Sequence, residues 1–96
     1  MSQHRIELIR RRLSSALTPT ALEIIDDSHL HAGHAGAREG GHFRVRVVAA
    51  QFSGLRTVQR HQLIYQALGE LMRTEIHALG IVALTPDEAP TAPAHL

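Results

Sequence analysis

A chain of 96 residues holds enough apolar side chains for one hydrophobic core and too few for two, and 44% hydrophobic with 20% charged residues excludes a disordered or low-complexity chain. A net charge of +1 and 3% aromatic residues exclude a broad basic field and a ladder of stacking platforms, so charge alone selects neither nucleic acid nor an anionic membrane. Without cysteine there is no disulfide and no thiolate ligand, and no apolar run approaches the roughly 20 residues that span a bilayer, so a soluble cytoplasmic protein with no membrane partner is expected.

Ile6, Ile9, Leu13 and Leu17 recur at spacings of three and four, which predicts a helix over residues 4–17 that ends at Thr18-Pro19. Arg10, Arg11 and Arg12 are consecutive and fan around its outer face, a solvated surface. The β-rich run over 21–26, with Leu22 and Ile24 alternating with their neighbours, reads as a half-buried strand. Residues 27–41 then lose all periodicity; four glycines and three histidines make a loop too long for a tight hairpin, the kind that tends to carry function. Phe43, Val45, Val47 and Ala49 alternate with Arg44 and Arg46, predicting a second strand antiparallel to the first.

Gly54 supplies a positive φ after Phe52, and Thr57 is the expected N-cap of a helix running to about residue 73, with Leu63, Ile64, Ala67, Leu68, Leu71 and Met72 as its buried stripe. Residues 76–84 read as a third strand, apolar after His77 and expected in the sheet interior or beneath both helices. Strand, helix and strand in succession predict a right-handed parallel crossover. Thr85-Pro86-Asp87-Glu88 has the form of a capping box, but Pro90 and Pro93 limit it to one turn; one domain over 1–88 and a disordered tail over 89–96 follow.

Phe52-Ser53-Gly54, then Arg60-His61 with Tyr65 one helical turn beyond, describe one turn feeding one helix, and this run resembles the segment that marks the BolA family. His77, in Ile-His-Ala-Leu, matches the family's C-terminal histidine, and His31 falls where its loop histidine follows the first strand, with His34 as the rival in a longer loop. The resemblance covers about residues 4–88 and implies an α+β domain akin to the class II KH fold: α-β-β-α-β, a three-stranded mixed sheet with helices packed on one face. The short segment after residue 84 departs from the family's fuller final helix.

Further implications of the resemblance concern partners. BolA-like proteins bind monothiol glutaredoxins that hold a [2Fe–2S] cluster through an active-site cysteine and glutathione, and the BolA-like member adds histidine ligands to a mixed heterodimer. By that analogy the chain is a monomer alone, and His77 is its first ligand and His31 or His34 its second. Iron–sulfur cluster maturation, trafficking or iron sensing would be its role.

The residues themselves agree with half a site. Two imidazoles can replace two thiolates on one iron of a cluster, and this chain offers imidazole only, so a partner would have to supply the sulfur ligands. At the start of an apolar strand, His77 has a plainer reading as a hydrogen-bonding group at the sheet end. His29 and His42 are expected to be solvated loop-edge residues, with a spare-ligand role as the alternative. His61 is expected to support the Phe52-Gly54 turn or to meet a partner.

The competing reading is a DNA-binding transcriptional regulator on the KH-like fold, with Arg56 and Arg60 at the second helix and Arg44 and Arg46 on the second strand as phosphate contacts. Gly33-His34-Ala35-Gly36 satisfies a GxxG pattern but lies between strands, whereas a nucleotide clamp joins helices. No nucleophile elbow, P-loop or HExxH pair is present, so an enzyme is not expected.

Overall fold

The computed structural model describes residues 2–27 and 41–89. In chain order these form α1 (Ser2–Leu17), β1 (Ala21–Asp26), β2 (Gly41–Val48), a 3-10 turn (Ala50–Phe52), α2 (Thr57–Leu68), α3 (Leu71–Thr74) and β3 (Ile76–Leu84). His29, His31 and His34, and residues 90–96 of the tail expected over 89–96, lie outside the described residues.

Period-two alternation on β2 drives the assembly. Phe43, Val45 and Val47 are at most 2% exposed and form one row, while Arg44 stands exposed on the other face. β2 is the middle strand of a three-stranded sheet of order β1-β2-β3, antiparallel to β1 and parallel to β3, as the strand-helix-strand succession requires. Against the apolar row pack Ile9, Leu13 and Leu17 of α1 and Ile64 and Leu68 of α2, with Phe52 closing the core at 0% exposed. Each such side chain contributes roughly 1.5–3 kcal/mol on leaving water, which is why the helices take this side of the sheet.

β3 lies at the sheet edge, not in its interior. Its apolar composition has another cause: Leu79, Ile81 and Ala83 pack against the core, and the opposite row is small or exposed, with Ala78, Gly80 and a 49% exposed Val82.

The second helix ends five residues before the expected point. Gly69 follows Leu68 with φ 53 and ψ −128, and its N–H donates to the Tyr65 carbonyl at 2.9 Å, closing α2 before α3 begins. The apolar spacing of Leu68, Leu71 and Met72 runs on past the break and hides it. Arg12 on α1 donates from Nη1 to the Leu68 carbonyl at 3.0 Å, supplying the terminal acceptor with a charged partner. Not all of the arginine trio is therefore solvated surface. At the other end the N-cap is Arg56, one residue before the expected Thr57, and the Gln59 side chain accepts from the Arg56 N–H at 2.9 Å. Gly54 has φ 82, the positive value expected of the turn.

Gly69→Ala places a Cβ in a backbone region that L residues rarely adopt and 3.3 Å from Arg12 Nη1. The variant is expected to lose about 1–3 kcal/mol of unfolding free energy in urea denaturation with an unchanged slope.

Candidate metal-ligating site

A register break sets the direction of His77. Gly41 pairs with Ile76 and His42 with Ala78, so β3 carries one residue more than β2 at this point, and that residue is His77. Regular alternation back from Leu79, Ile81 and Ala83 would aim His77 into the core. The bulge instead lets Ile76 point inward at 3% exposure and leaves both His77 and Ala78 exposed on the open face.

The same break brings a second imidazole alongside. His42 lies half-buried on the outer row of β2, and its ring centroid is 5.0 Å from that of His77, with the planes tilted by 41°. The sequence suggests a solvated loop-edge residue at His42, and the structure places it half-buried on β2. Its odd register against the Phe43-Val45-Val47 row already put it on the outer face, but its neighbour across the sheet depends on a bulge that no spacing in the sequence announces.

Both ends of the histidine-bearing loop are anchored here. The Asp27 N–H donates to the His42 carbonyl at 2.7 Å, and the Gly41 N–H donates to the Glu75 carbonyl at 3.0 Å. The chain thus leaves and re-enters the fold at the His42–His77 end of the sheet. Among the described residues no set of three or more histidine or carboxylate side chains converges on one point, so what stands here is a pair of imidazoles and not a closed shell.

The four arginines expected to meet phosphate do not form one surface. Arg44 donates from Nε to Asp27 Oδ2 at 2.7 Å on the open sheet face; Arg46 stands two residues along the same row; Arg56 caps α2. Arg60 is turned inward. Its guanidinium donates to the Leu55 carbonyl at 2.9 Å, the Ala83 carbonyl at 3.0 Å and the Glu88 carboxylate at 2.6 and 3.1 Å, leaving the side chain 12% exposed. Two backbone acceptors at the α2 entry and the β3 exit need a donor, and Arg60 meets both, so its charge is engaged within the fold.

Glu88 completes this clasp. It accepts from the Thr85 N–H at 3.0 Å while its own N–H donates to Thr85 Oγ1 at 3.3 Å, the reciprocal capping box read in the sequence. The Arg60 hydrogen bond and then the Thr85 N–H hold its carboxyl at about 2, below the ordinary 4.5, and the carboxylate in turn raises the Arg60 pKa. Of the other motif residues, Phe52 is fully buried, His61 is half-buried on α2 and Tyr65 is 42% exposed. Among the described residues no helix is long and apolar enough to cross a membrane.

The family model described as BolA-like protein matches residues 13–88. The chain is 41% identical over 93 residues to the chloroplastic protein BOLA1 of Arabidopsis thaliana, covering 93% of this chain and 58% of that protein. It is 39% identical over 82 residues to the DNA-binding transcriptional regulator BolA of Haemophilus influenzae, covering 85% and 78% respectively. Among solved structures, BolA1 from Arabidopsis thaliana superposes with a TM-score of 0.77 at 40% identity, covering 90% of this chain and 96% of that one. The chain spans little more than half the length of several curated relatives that it matches.

Two measurements probe this construction. Glu88→Gln keeps the shape and loses the charge, so its thermal midpoint should fall below wild type by a constant margin above about pH 4.5. That margin should close as the pH drops toward about 2, because a carboxyl with a depressed folded pKa adds stability above its unfolded value and loses it on protonation. Separately, His77→Ala should shift unfolding by no more than about 0.5 kcal/mol, whereas Ile76→Ala, one residue earlier on the inward side, should cost about 2–5 kcal/mol.

Proposed function

This chain belongs to the BolA-like family, and we propose that it is an adaptor lending imidazole ligands to a [2Fe–2S] cluster shared with a monothiol glutaredoxin, in cluster maturation, cluster trafficking or iron sensing. The observation that carries the reading is the bulge that turns His77 out of the core and presents it on the open sheet face. The bulge leaves this imidazole exposed beside the point where the segment between β1 and β2 begins and ends, open to a partner.

The donor set agrees with a shared centre. A chain without cysteine supplies borderline nitrogen donors alone, and a cluster tolerates two imidazoles on one iron when thiolates complete the rest. In this reading the glutaredoxin cysteine and its glutathione are the sulfur ligands, His77 is the fixed ligand of this chain, and His31 or His34 is the second, from a segment anchored beside it through Asp27 and Gly41. When bound, the cluster is cargo with its own electron-transfer and spectroscopic properties. The chain's part is to hold an imidazole at the sheet end and to keep it open to a partner. No hydrolytic or group-transfer chemistry is assigned to it.

The Haemophilus relative's name motivates a second reading, DNA binding. For this chain it rests on Arg44, Arg46 and Arg56, since Arg60 is engaged within the fold and the Arg44 charge is met by Asp27. The shared-cluster reading is the better supported.

Mixing the full chain with a cluster-loaded monothiol glutaredoxin is expected to change the visible absorption and circular dichroism and to yield a 1:1 complex on gel filtration. His77→Ala should abolish the spectral change, and comparison of His31→Ala with His34→Ala should identify the loop ligand. Unchanged spectra with no complex would remove the reading, while DNA affinity falling steeply with salt would favour its rival.

A further inference from the structure

The bulge does more than expose His77; it places a second imidazole beside it, from a neighbouring strand of the same rigid sheet. We propose that His42 and His77 form a two-imidazole site for a single borderline divalent cation of the Cu2+ or Zn2+ class, which this chain binds without any partner.

The spacing of the rings fits one metal between them. Imidazole nitrogen ligates these ions at about 2 Å, which sets each ring centroid about 3.2 Å from the metal; ligand angles between square and tetrahedral then separate two centroids by about 4.5–5.2 Å. The observed separation is 5.0 Å, and the 41° tilt is not the parallel arrangement of a stacked pair. His42 pairs within the β2–β3 ladder and His77 sits between the paired residues Ile76 and Ala78, so ligation would require chiefly the adjustment of side chains.

The surroundings allow a cation to enter. His77 is exposed, leaving space for water in the remaining coordination positions. Arg44, two residues along the same face from His42, is the nearest cation in the strand, and Asp27 meets its charge at 2.7 Å. Imidazole suits copper and zinc, and of these the first-row affinity order favours Cu2+.

This site shares His77 with the proposed cluster ligation but does not rest on it, because the test uses the chain alone. Cu2+, and separately Zn2+, would be titrated into the full chain by calorimetry against a competing chelator, with histidine ring signals followed by NMR during substoichiometric Cu2+ addition. The expected result is a 1:1 site and paramagnetic broadening that reaches the His42 and His77 rings first. His42→Ala and His77→Ala should each weaken binding by on the order of 100-fold, as two linked donors become one. The triple variant His29→Ala/His31→Ala/His34→Ala should retain the site.

Loss of binding in the triple variant, with His42→Ala unchanged, would overturn the proposal. So would broadening that spares either ring in the wild-type chain, a readout that does not depend on any variant folding. Failure here leaves the spectral test with glutaredoxin standing. A failed glutaredoxin test leaves this one standing too.

Discussion

β2 is hydrogen-bonded along both edges, and the alternation of its side chains ties the core to the site. Its inward row, Phe43, Val45 and Val47, is the floor on which α1 and α2 settle, and its outward row begins with His42 and continues through Arg44 and Arg46. A slip of one residue in its pairing would exchange the two rows, placing arginines in the core and valines in water. Burial energy of the apolar row therefore holds the outer row in register, and the position of His42 is inherited from packing on the other side of the sheet.

The bulge at His77 is the one departure from that alternation. It reconciles two requirements at the start of β3: Ile76 must reach the core, and Leu79, Ile81 and Ala83 must do so as well. An odd number of steps separates Ile76 from Leu79, so a regular strand cannot satisfy both, and one residue has to be left over. That residue is a histidine, brought out where the loop between β1 and β2 begins and ends. Burial of Ile76 and exposure of His77 are met by the same irregularity.

The residues that mark the family divide into two kinds of work. Phe52, Gly54 and Arg60 are consumed in joining β2 to α2 and α2 to the segment after β3: one is buried, one turns the chain, and one bonds Leu55, Ala83 and Glu88 together. His61 and Tyr65 remain partly open on α2. With Arg60 engaged within the fold, Arg44 and Arg46 lie on the open sheet face and Arg56 at the start of α2.

Local rules reach far along this chain. The apolar spacing of α1, the alternation of β1 and β2, the bounds of β3, the positive φ at Gly54 and the reciprocal Thr85-Glu88 cap are all legible, because each depends on neighbours within a few residues. The end of α2 at Gly69 was present in the sequence as a glycine but masked by apolar periodicity that continues into α3. His77 is singled out by its match to the family's C-terminal histidine, whereas its direction and its neighbour are not legible: 35 positions separate it from His42, and only the parallel pairing of β2 with β3, broken by one residue, turns that separation into 5.0 Å. Contacts between distant segments are decided by which rows the core can bury, a property of the assembled sheet that no window of sequence contains.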